Sequence, residues 1–204
     1  MFHLFLRGGP VMWPLLVTSV VALSVIIERL LFTVRTRFRR DPAVVERMFK
    51  EVERGSIDNA ANLGVDSRDF IARTLGRALM HRDVSFSNGL LQAAGAELQR
   101  FNRGISVLDT VVTLAPLLGL FGTVTGMIRA FGLLGASELG APTQITGGIA
   151  EALIATAFGL LIAIIALLPF NYLNSRLEQA RQEIETSAAY LELLLLKAEK
   201  RDSL

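Results

Sequence analysis

Three long stretches of the sequence contain no charged residue. They cover residues 8–27, 110–128 and 152–175, and charged residues flank each of them. The hydrocarbon core of a bilayer is about 30 Å thick, and an α-helix crosses it in about 20 residues. The sequence therefore predicts three transmembrane helices. The first stretch ends in Glu28-Arg29 and not in a small-residue cleavage site, which favours an uncleaved membrane anchor over a signal peptide.

The composition excludes several classes of protein. Hydrophobic residues make up 51% of the chain and charged residues 20%, which excludes intrinsic disorder. The absence of Cys, with only two His, excludes a disulfide framework, a thiolate metal site and a His-rich metal cage. A net charge of +2 is too small to indicate nucleic acid as a partner. Without a Ser/His pair or a pair of membrane-centre Asp residues, we expect no catalytic residues, no metal, no cofactor and no enzymatic activity.

Lys and Arg are concentrated in one segment between the predicted spans. Residues 34–106 hold thirteen of the 21 Lys and Arg residues, four of them in the run RTRFRR, whereas residues 132–147 hold none. Positively charged loops stay in the cytoplasm, so the N-terminus is predicted to lie outside and the C-terminus inside. The predicted order is an external N-terminus (1–9), a first span (10–33), a cytoplasmic helical domain (34–106), a second span (107–131), an external loop (132–147), a third span (148–172) and a cytoplasmic C-terminal helix (173–204).

The polar segment between the first two spans is predicted to be helical. Apolar residues recur there at spacings of three and four, with interruptions at Gly55, at Asp58-Asn59 and at a turn over residues 85–88. No Pro lies between that turn and the second span, so we expect one helix to continue from the turn into the span.

The C-terminal segment carries an apolar seam at similar spacings. The seam comprises Leu177, Ala180, Ile184, Ala188, Leu191, Leu195 and Ala198. It fits either packing within the chain or self-association of several subunits. Because the sequence shows no strand pattern, we predict an all-α integral membrane protein with long cytoplasmic helical extensions.

The second span carries small residues at helical spacing. Gly119, Gly122 and Gly126 would let the backbone of another helix approach closely. In lipid, where the hydrophobic effect does not drive helices together, such close packing does. Pro116 lacks a backbone N–H, so we expect a kink there. Each Thr of this span, Thr123 included, could instead bond a carbonyl of its own helix.

The third span has a stripe of small residues with one hydroxyl. The stripe comprises Ala152, Thr156, Gly159, Ala163 and Ala166, and it predicts a helix contact or a narrow hydrated path. Glu151 lies about one turn inside this span, where a carboxylate is costly unless it is paired, hydrated or protonated. Two interpretations stay open for it: a titrating group, or a structural residue near the outer interface. Arg129 could extend towards the interface or pair with Glu138 or Glu151.

No charged residue lies at the middle of any predicted span. If protons cross the membrane here, another polypeptide must supply the titrating group. The hydroxyls of Thr123 and Thr156 could then solvate that group.

Two motifs in the second and third spans resemble a known family. APLLGLFGTVTGM, followed by EALIATAFGL, is similar to the ExbB/TolQ branch of the MotA/TolQ/ExbB proton-channel family. The close resemblance covers about residues 109–176. It implies a bacterial inner-membrane protein with a periplasmic N-terminus, in which five subunits surround a pore lined by the second and third spans. Flagellar MotA-type members are longer and have a fourth span, so the resemblance is to the other branch.

The resemblance also implies partners and roles. Two helices of an ExbD/TolR-like single-span protein would occupy the pore and bring a proton-binding Asp, which Thr123 and Thr156 would face. Glu151 matches the family's glutamate position in the third span. The expected function is a proton-channel stator subunit of a motor driven by the proton motive force, with a TonB- or TolA-like protein as a further partner and lipid around it. TonB energisation, Tol-Pal maintenance and gliding-type machinery all stay open. The alternative is a non-conducting oligomeric scaffold that anchors a partner protein.

Overall fold

The computed structural model describes residues 5, 7–132 and 142–202 of the chain. Within these residues the regular secondary structure is entirely helical, which confirms the all-α prediction for the described part. Seven helices follow in chain order: α1 (Met12–Phe38), α2 (Pro42–Glu53), α3 (Ile57–Val65), α4 (Phe70–Met80), α5 (Arg82–Asn102), α6 (Ile105–Gly132) and α7 (Pro142–Asp202).

Three of these helices are long and apolar enough to cross a membrane. They are α1, α6 and the segment Thr146–Ala198 of α7. Three candidate membrane-spanning helices were predicted, and the described residues contain three. The third belongs to a continuous helix of 61 residues, so the predicted third span and C-terminal helix form a single element.

The chain divides into two compact units. The span unit comprises residues 1–29 and 104–172, and the polar unit comprises residues 30–103 and 173–204. The helices α1 and α7 each contribute residues to both units. The two units are described separately below.

The core of the span unit is formed by the start of α1 together with α6 and α7. Met12 and Leu15 of α1 are each 1% exposed and pack with Ala115 of α6 and Ala163 of α7. Trp13 lies on the opposite side of α1, 62% exposed, with its ring edge-on to Phe5 at 5.6 Å between centroids. This division between a buried and an exposed apolar side is typical of helices that meet each other on one face and lipid on the other.

The core of the polar unit shows where the C-terminal apolar seam packs. Five seam residues of α7 pack in one hydrophobic cluster with residues of α2, α3 and α4: Ala180, Ile184, Ala188, Leu191 and Leu195. Burial of an apolar stripe against other helices of the same chain removes it from water just as self-association would. The seam therefore packs within the chain, as the first of the two interpretations predicted.

Asp69 is a buried carboxylate that connects three parts of the polar unit. It caps the N-terminus of α4 by accepting hydrogen bonds from the backbone N–H groups of Ile71 (2.8 Å) and Ala72 (3.3 Å). It also accepts from the backbone N–H of Asp41 (2.8 Å) and from the Arg40 guanidinium (2.9 and 3.0 Å). Its side chain is fully buried. A buried charge with this many donors is stabilised, whereas its removal leaves the donors without a partner.

Replacement of Asp69 by Ala should therefore destabilise the polar unit. We expect Asp69→Ala to lower the free energy of unfolding by about 2 kcal/mol, since it removes a helix cap and leaves Arg40 with Glu183 as its remaining carboxylate partner. The matched control is Asp66→Ala, which changes an exposed carboxylate and should cost less than about 0.5 kcal/mol. Denaturant unfolding of the detergent-solubilised protein, followed by circular dichroism at 222 nm, measures both. Equal stabilities of the two variants would contradict the assignment.

Glu97 of α5 is a second buried carboxylate in the polar unit. It accepts a bidentate pair of hydrogen bonds from Arg73 (2.8 and 2.7 Å) and longer ones from Arg100 (3.4 and 3.3 Å), and Arg77 lies 3.6 Å away. Burial alone would raise the pKa of Glu97, but the hydrogen bonds and charges of Arg73 and Arg100 outweigh burial and hold that pKa below its ordinary value. The ionised form is thus favoured by folding.

A lowered pKa in the folded state gives a defined pH dependence. The stabilisation from Glu97 is present above its unfolded-state pKa of about 4.3 and is lost as the pH falls through the lower folded-state pKa. We expect Glu97→Gln to reduce stability at neutral pH by about 2 kcal/mol and to flatten the loss of stability on acidification. Melting temperatures measured by circular dichroism across this pH range test it, with the exposed Glu185→Gln as control. A profile for Glu97→Gln that parallels the wild-type profile would contradict the prediction.

Two predictions about the polar segment are wrong. The expected continuous helix into the second span is interrupted, because α5 ends at Asn102 and Gly104 adopts a φ of +83° before α6 begins. Only glycine adopts this left-handed conformation without strain. Asp58 and Asn59 do not interrupt the helical segment but lie in the first turn of α3, where the Asp58 carboxylate interacts favourably with the helix dipole. The predicted turn at residues 85–88 corresponds to Ser85, which is non-helical within α5.

Candidate functional site

The helices α6 and α7 approach each other so closely that their backbones are in contact. A Cβ atom built on Gly159 would lie 2.5 Å from the carbonyl oxygen of Ala115 and 3.0 Å from the Cα of Gly119. A Cβ atom built on Gly119 would lie 3.1 Å from the Cα of Thr156. Because backbone atoms cannot move aside as the end of a side chain can, no larger residue fits at Gly159 without separation of the helices.

Small residues continue this contact towards the C-terminal end of α6. A Cβ on Gly122 would lie 2.5 Å from that of Ala155, and a Cβ on Gly126 would lie 3.0 Å from that of Ala152. Of the six residues predicted for helix packing, five thus lie between α6 and α7: Gly119, Gly122, Gly126, Ala152 and Gly159. The sixth, Ala163, is 8% exposed and belongs to the core of the span unit.

The close approach brings two hydroxyl groups together. Thr123 of α6 and Thr156 of α7 are hydrogen-bonded through their Oγ1 atoms. The Thr156 hydroxyl also lies 3.0 Å from the carbonyl oxygen of Gly119, to which it can donate. If Thr156 donates to Gly119, it accepts from Thr123, and both hydroxyl protons are then used within the site. The remaining lone pairs make the pair an acceptor for an incoming proton donor.

The other threonines of α6 behave differently. Thr110, Thr113 and Thr125 donate to carbonyl oxygens one turn earlier in their own helix, at 2.9, 2.6 and 3.0 Å. These bonds are the local alternative that was left open for every threonine of the second span. Thr123 has the same kind of contact, at 3.3 Å from the Gly119 carbonyl oxygen, but it differs from its neighbours because its hydroxyl also reaches the facing helix.

Glu151 lies one turn before the hydroxyl pair and contacts two parts of the span unit. Its Oε1 atom is 3.2 Å from Nη1 of Arg129, and its side chain is 27% exposed. Of the two partners considered for Arg129, this is the one found, while Glu138 lies outside the described residues. The Glu151 carboxylate also lies against Gly9, whose φ of +73° and lack of a side chain leave room for it.

Two features of the site were not found from the sequence. Ala155 is fully buried opposite Gly122, and Gly9 contacts Glu151. The spacing of Ala155 from Ala152 and Gly159, three and four residues, would have placed it on the same face. Nothing in the sequence indicated Gly9. Pro116 lies inside α6, which continues through it as one helix, and the kink expected there stays a prediction.

The contact between α6 and α7 should be sensitive to one methyl group. We expect Gly159→Ala to cost about 1–3 kcal/mol, because the new Cβ would overlap the Ala115 carbonyl, and to separate the two hydroxyls. Gly132→Ala on α6 is the control, since a Cβ there has no described atom within 4 Å. Thermal unfolding in detergent measures the cost, and a cysteine pair substituted for Thr123 and Thr156 measures the separation by its rate of cross-linking. A Gly159→Ala protein as stable as Gly132→Ala would contradict the close contact.

Comparisons with known proteins show which family the chain belongs to. The sequence model of the MotA/TolQ/ExbB proton channel family matches residues 66–186, which include α6 and the first part of α7. The chain is 39% identical over 197 residues to putative biopolymer transport protein ExbB-like 1 of Synechocystis sp., covering 93% of this chain and 77% of that protein.

Shorter matches connect the chain to both named groups of the branch. It is 38% identical over 99 residues to biopolymer transport protein ExbB of Neisseria gonorrhoeae, covering 48% of this chain and 45% of that protein. It is 38% identical over 91 residues to Tol-Pal system protein TolQ of Haemophilus influenzae, covering 45% and 40%. The chain is a membrane protein that belongs to the MotA/TolQ/ExbB proton channel family, in its ExbB/TolQ branch.

Proposed function

We propose that the chain is the proton-channel stator subunit of a motor in the bacterial inner membrane. In this proposal five copies surround a pore lined by α6 and α7, and an ExbD/TolR-like single-span partner enters the pore with a titrating Asp. The N-terminus is periplasmic and the C-terminus cytoplasmic, in agreement with the thirteen Lys and Arg residues between positions 34 and 106. The activity is ion transfer coupled to mechanical work, not catalysis of a covalent reaction.

The hydroxyl pair of Thr123 and Thr156 is the observation that carries this proposal. The pair lies on the two helices that contain the family motifs, and the uncharged stretches around it offer no carboxylate of their own. Because its protons can be used within the pair and by the Gly119 carbonyl, its free lone pairs suit a donor such as a protonated carboxyl group. A partner Asp that arrives protonated would be hydrogen-bonded there, whereas an ionised one would gain nothing.

Glu151 fits a position along the same pathway. It is half-buried one turn from Thr156, with Arg129 as its counter-ion. A cationic partner offsets part of the cost of placing a carboxyl group within a span. We therefore assign it to the proton pathway beside the two threonines, with Arg129 as the residue that positions it.

Exposed apolar side chains support assembly into an oligomer. Leu120, Phe121 and Ile128 of α6 and Leu153 and Leu161 of α7 are each about half or more exposed in the single chain. In a membrane such residues face lipid or neighbouring subunits, so this surface is available for contacts within a ring of subunits. The small residues, by contrast, are used up in the contact between α6 and α7.

The proton motive force supplies the energy for this function. Each proton that crosses contributes about 2.3 kcal/mol per 100 mV of membrane potential, so mechanical work on the envelope requires several protons. Relatives named for biopolymer transport and for the Tol-Pal system indicate two machines that such a subunit could drive, TonB-dependent import and Tol-Pal maintenance. The TonB- or TolA-like protein would be the component that receives the work.

Substitution of the two threonines tests the proposal. We expect Thr123→Val and Thr156→Val to reduce proton-driven activity at least about tenfold, because each removes a hydrogen bond to the titrating group, and to leave assembly intact. Proton uptake into vesicles that contain the chain and its ExbD/TolR-like partner measures activity, and co-purification measures assembly. Thr125→Val, on the same helix but bonded to its own backbone, is the control and should keep full activity. Thr156→Ser should restore most of the loss.

The alternative function is a non-conducting scaffold that anchors a partner. Under that alternative both valine variants keep full activity in the cell, and wild-type vesicles take up no protons through the complex. Either result would overturn the channel assignment. A stable monomer or dimer by native mass spectrometry would overturn the pentamer.

A further inference from the structure

The end of α1 lies beside a cavity that is lined mainly by arginines. The cavity has a volume of about 150 Å³ and belongs to the polar unit. Arg39 follows the last residue of α1, Arg68 precedes α4, Arg73 lies on α4 and Arg100 on α5. We call this site the arginine cavity. Nothing in the proposed proton pathway uses it.

The arginine cavity has more positive than negative charge. Glu97 is the acidic residue among its lining residues, and Arg73, Arg77 and Arg100 already surround that one carboxylate. Arg39 and Arg68 line the same cavity, and neither forms an ion pair with another residue of the described chain. Four arginines thus face a cavity with a single carboxylate whose charge is already balanced. Arg39 and Arg68 are exposed, and this surplus of positive charge favours an anionic ligand.

Guanidinium groups indicate the chemistry of that anion. Arg presents a planar set of donors that binds phosphate in a bidentate manner, and two unpaired arginines on different elements can hold one phosphate between them. Thr36, which carries a hydroxyl group, lines the same cavity. The shared chemistry of the ligand is therefore a phosphate group, either free or part of a lipid.

The position of the cavity favours a lipid. Leu30, Leu31 and Val34 of α1 are 42–53% exposed, so an apolar surface continues along this helix to within two turns of Arg39. Phe38, next to Arg39, is 86% exposed, as expected for a residue at the membrane interface. Basic residues directly after a span lie where anionic headgroups are concentrated.

Aromatic residues complete the site on its apolar side. Phe101 packs edge-on against Phe32 at 5.5 Å and against Phe70 at 5.1 Å, and all three line the arginine cavity. These three aromatic rings suit contact with the glycerol and upper acyl carbons of a lipid. A free phosphate has no such apolar atoms. We propose that the arginine cavity binds the phosphate headgroup of an anionic phospholipid, held by Arg39 and Arg68.

Short-chain lipids test this site in the full chain. The melting temperature of the detergent-solubilised protein is measured by circular dichroism with increasing dioctanoyl phosphatidylglycerol, dioctanoyl phosphatidylcholine or inorganic phosphate. We expect phosphatidylglycerol to raise the melting temperature at concentrations about tenfold lower than either other additive. The variant Arg39→Gln/Arg68→Gln should need at least about tenfold more phosphatidylglycerol for the same shift.

The control variant is Arg47→Gln/Arg181→Gln. It removes the same two positive charges from exposed positions that do not line the cavity, and it should respond to phosphatidylglycerol like the wild type. Arg39→Lys/Arg68→Lys should keep part of the response, since it retains charge but not bidentate geometry. Because proton flow is not measured, the result is independent of the proposed motor function.

Three outcomes would overturn the proposal. An equal shift with inorganic phosphate would mean that the cavity binds free phosphate and not lipid. An equal shift with phosphatidylcholine would mean that the negative charge of the lipid is not recognised. An unchanged response in Arg39→Gln/Arg68→Gln, with normal helix content, would mean that the lipid binds elsewhere.

Discussion

Direct contact between two helix backbones is the constraint on which the span unit depends. In lipid, apolar side chains gain little by meeting each other, so helices associate through close packing and hydrogen bonds. Gly119 and Gly159 allow this because neither places an atom between α6 and α7. The hydroxyl of Thr156 reaches the Gly119 carbonyl only at such a distance. A substitution that separates the two helices at this site therefore also breaks this hydrogen bond.

The polar unit relies on buried carboxylates in addition to its apolar core. Asp69 and Glu97 are both removed from water, and each is matched by several donors from other elements. Desolvation of a carboxylate is offset only when such donors are already in place. For Glu97 the donors are arginines, and three of them surround this one carboxylate. A network built for folding thus also leaves positive charge available to a ligand.

The sequence predicted the features that depend on composition along a helix. Uncharged stretches are long in only three places, so the number of spans followed directly. The glycines of the second span indicated a contact because no other role suits several of them at helical spacing. The break at Gly104 was not predicted, since an isolated glycine is tolerated in helices and its φ depends on the packing around it.

Other features depend on which surfaces of the protein contact each other. The sequence of one segment does not show which surface that segment packs against. The seam of α7 is the same pattern whether its partner is another helix of the chain or another subunit. Ala155 is small enough for a lipid-facing or a buried position, so only the contact with Gly122 reveals its place. The charge of Arg39 contributed to the predicted membrane orientation of the chain. The cavity that it lines was not predicted, because Arg68 and Arg100, which line it too, are distant from Arg39 in sequence.

The position of Trp13 gives this protein a built-in spectroscopic probe. It is the only tryptophan in the 204 residues, and it lies exposed at the start of α1, in the span unit. Its emission therefore reports the polarity and quenching at one end of one helix, whereas ellipticity averages over all helices. Brominated lipids would quench it if that face of α1 contacts acyl chains. Fluorescence and ellipticity recorded together would thus distinguish loss of membrane contact from unfolding of the polar unit.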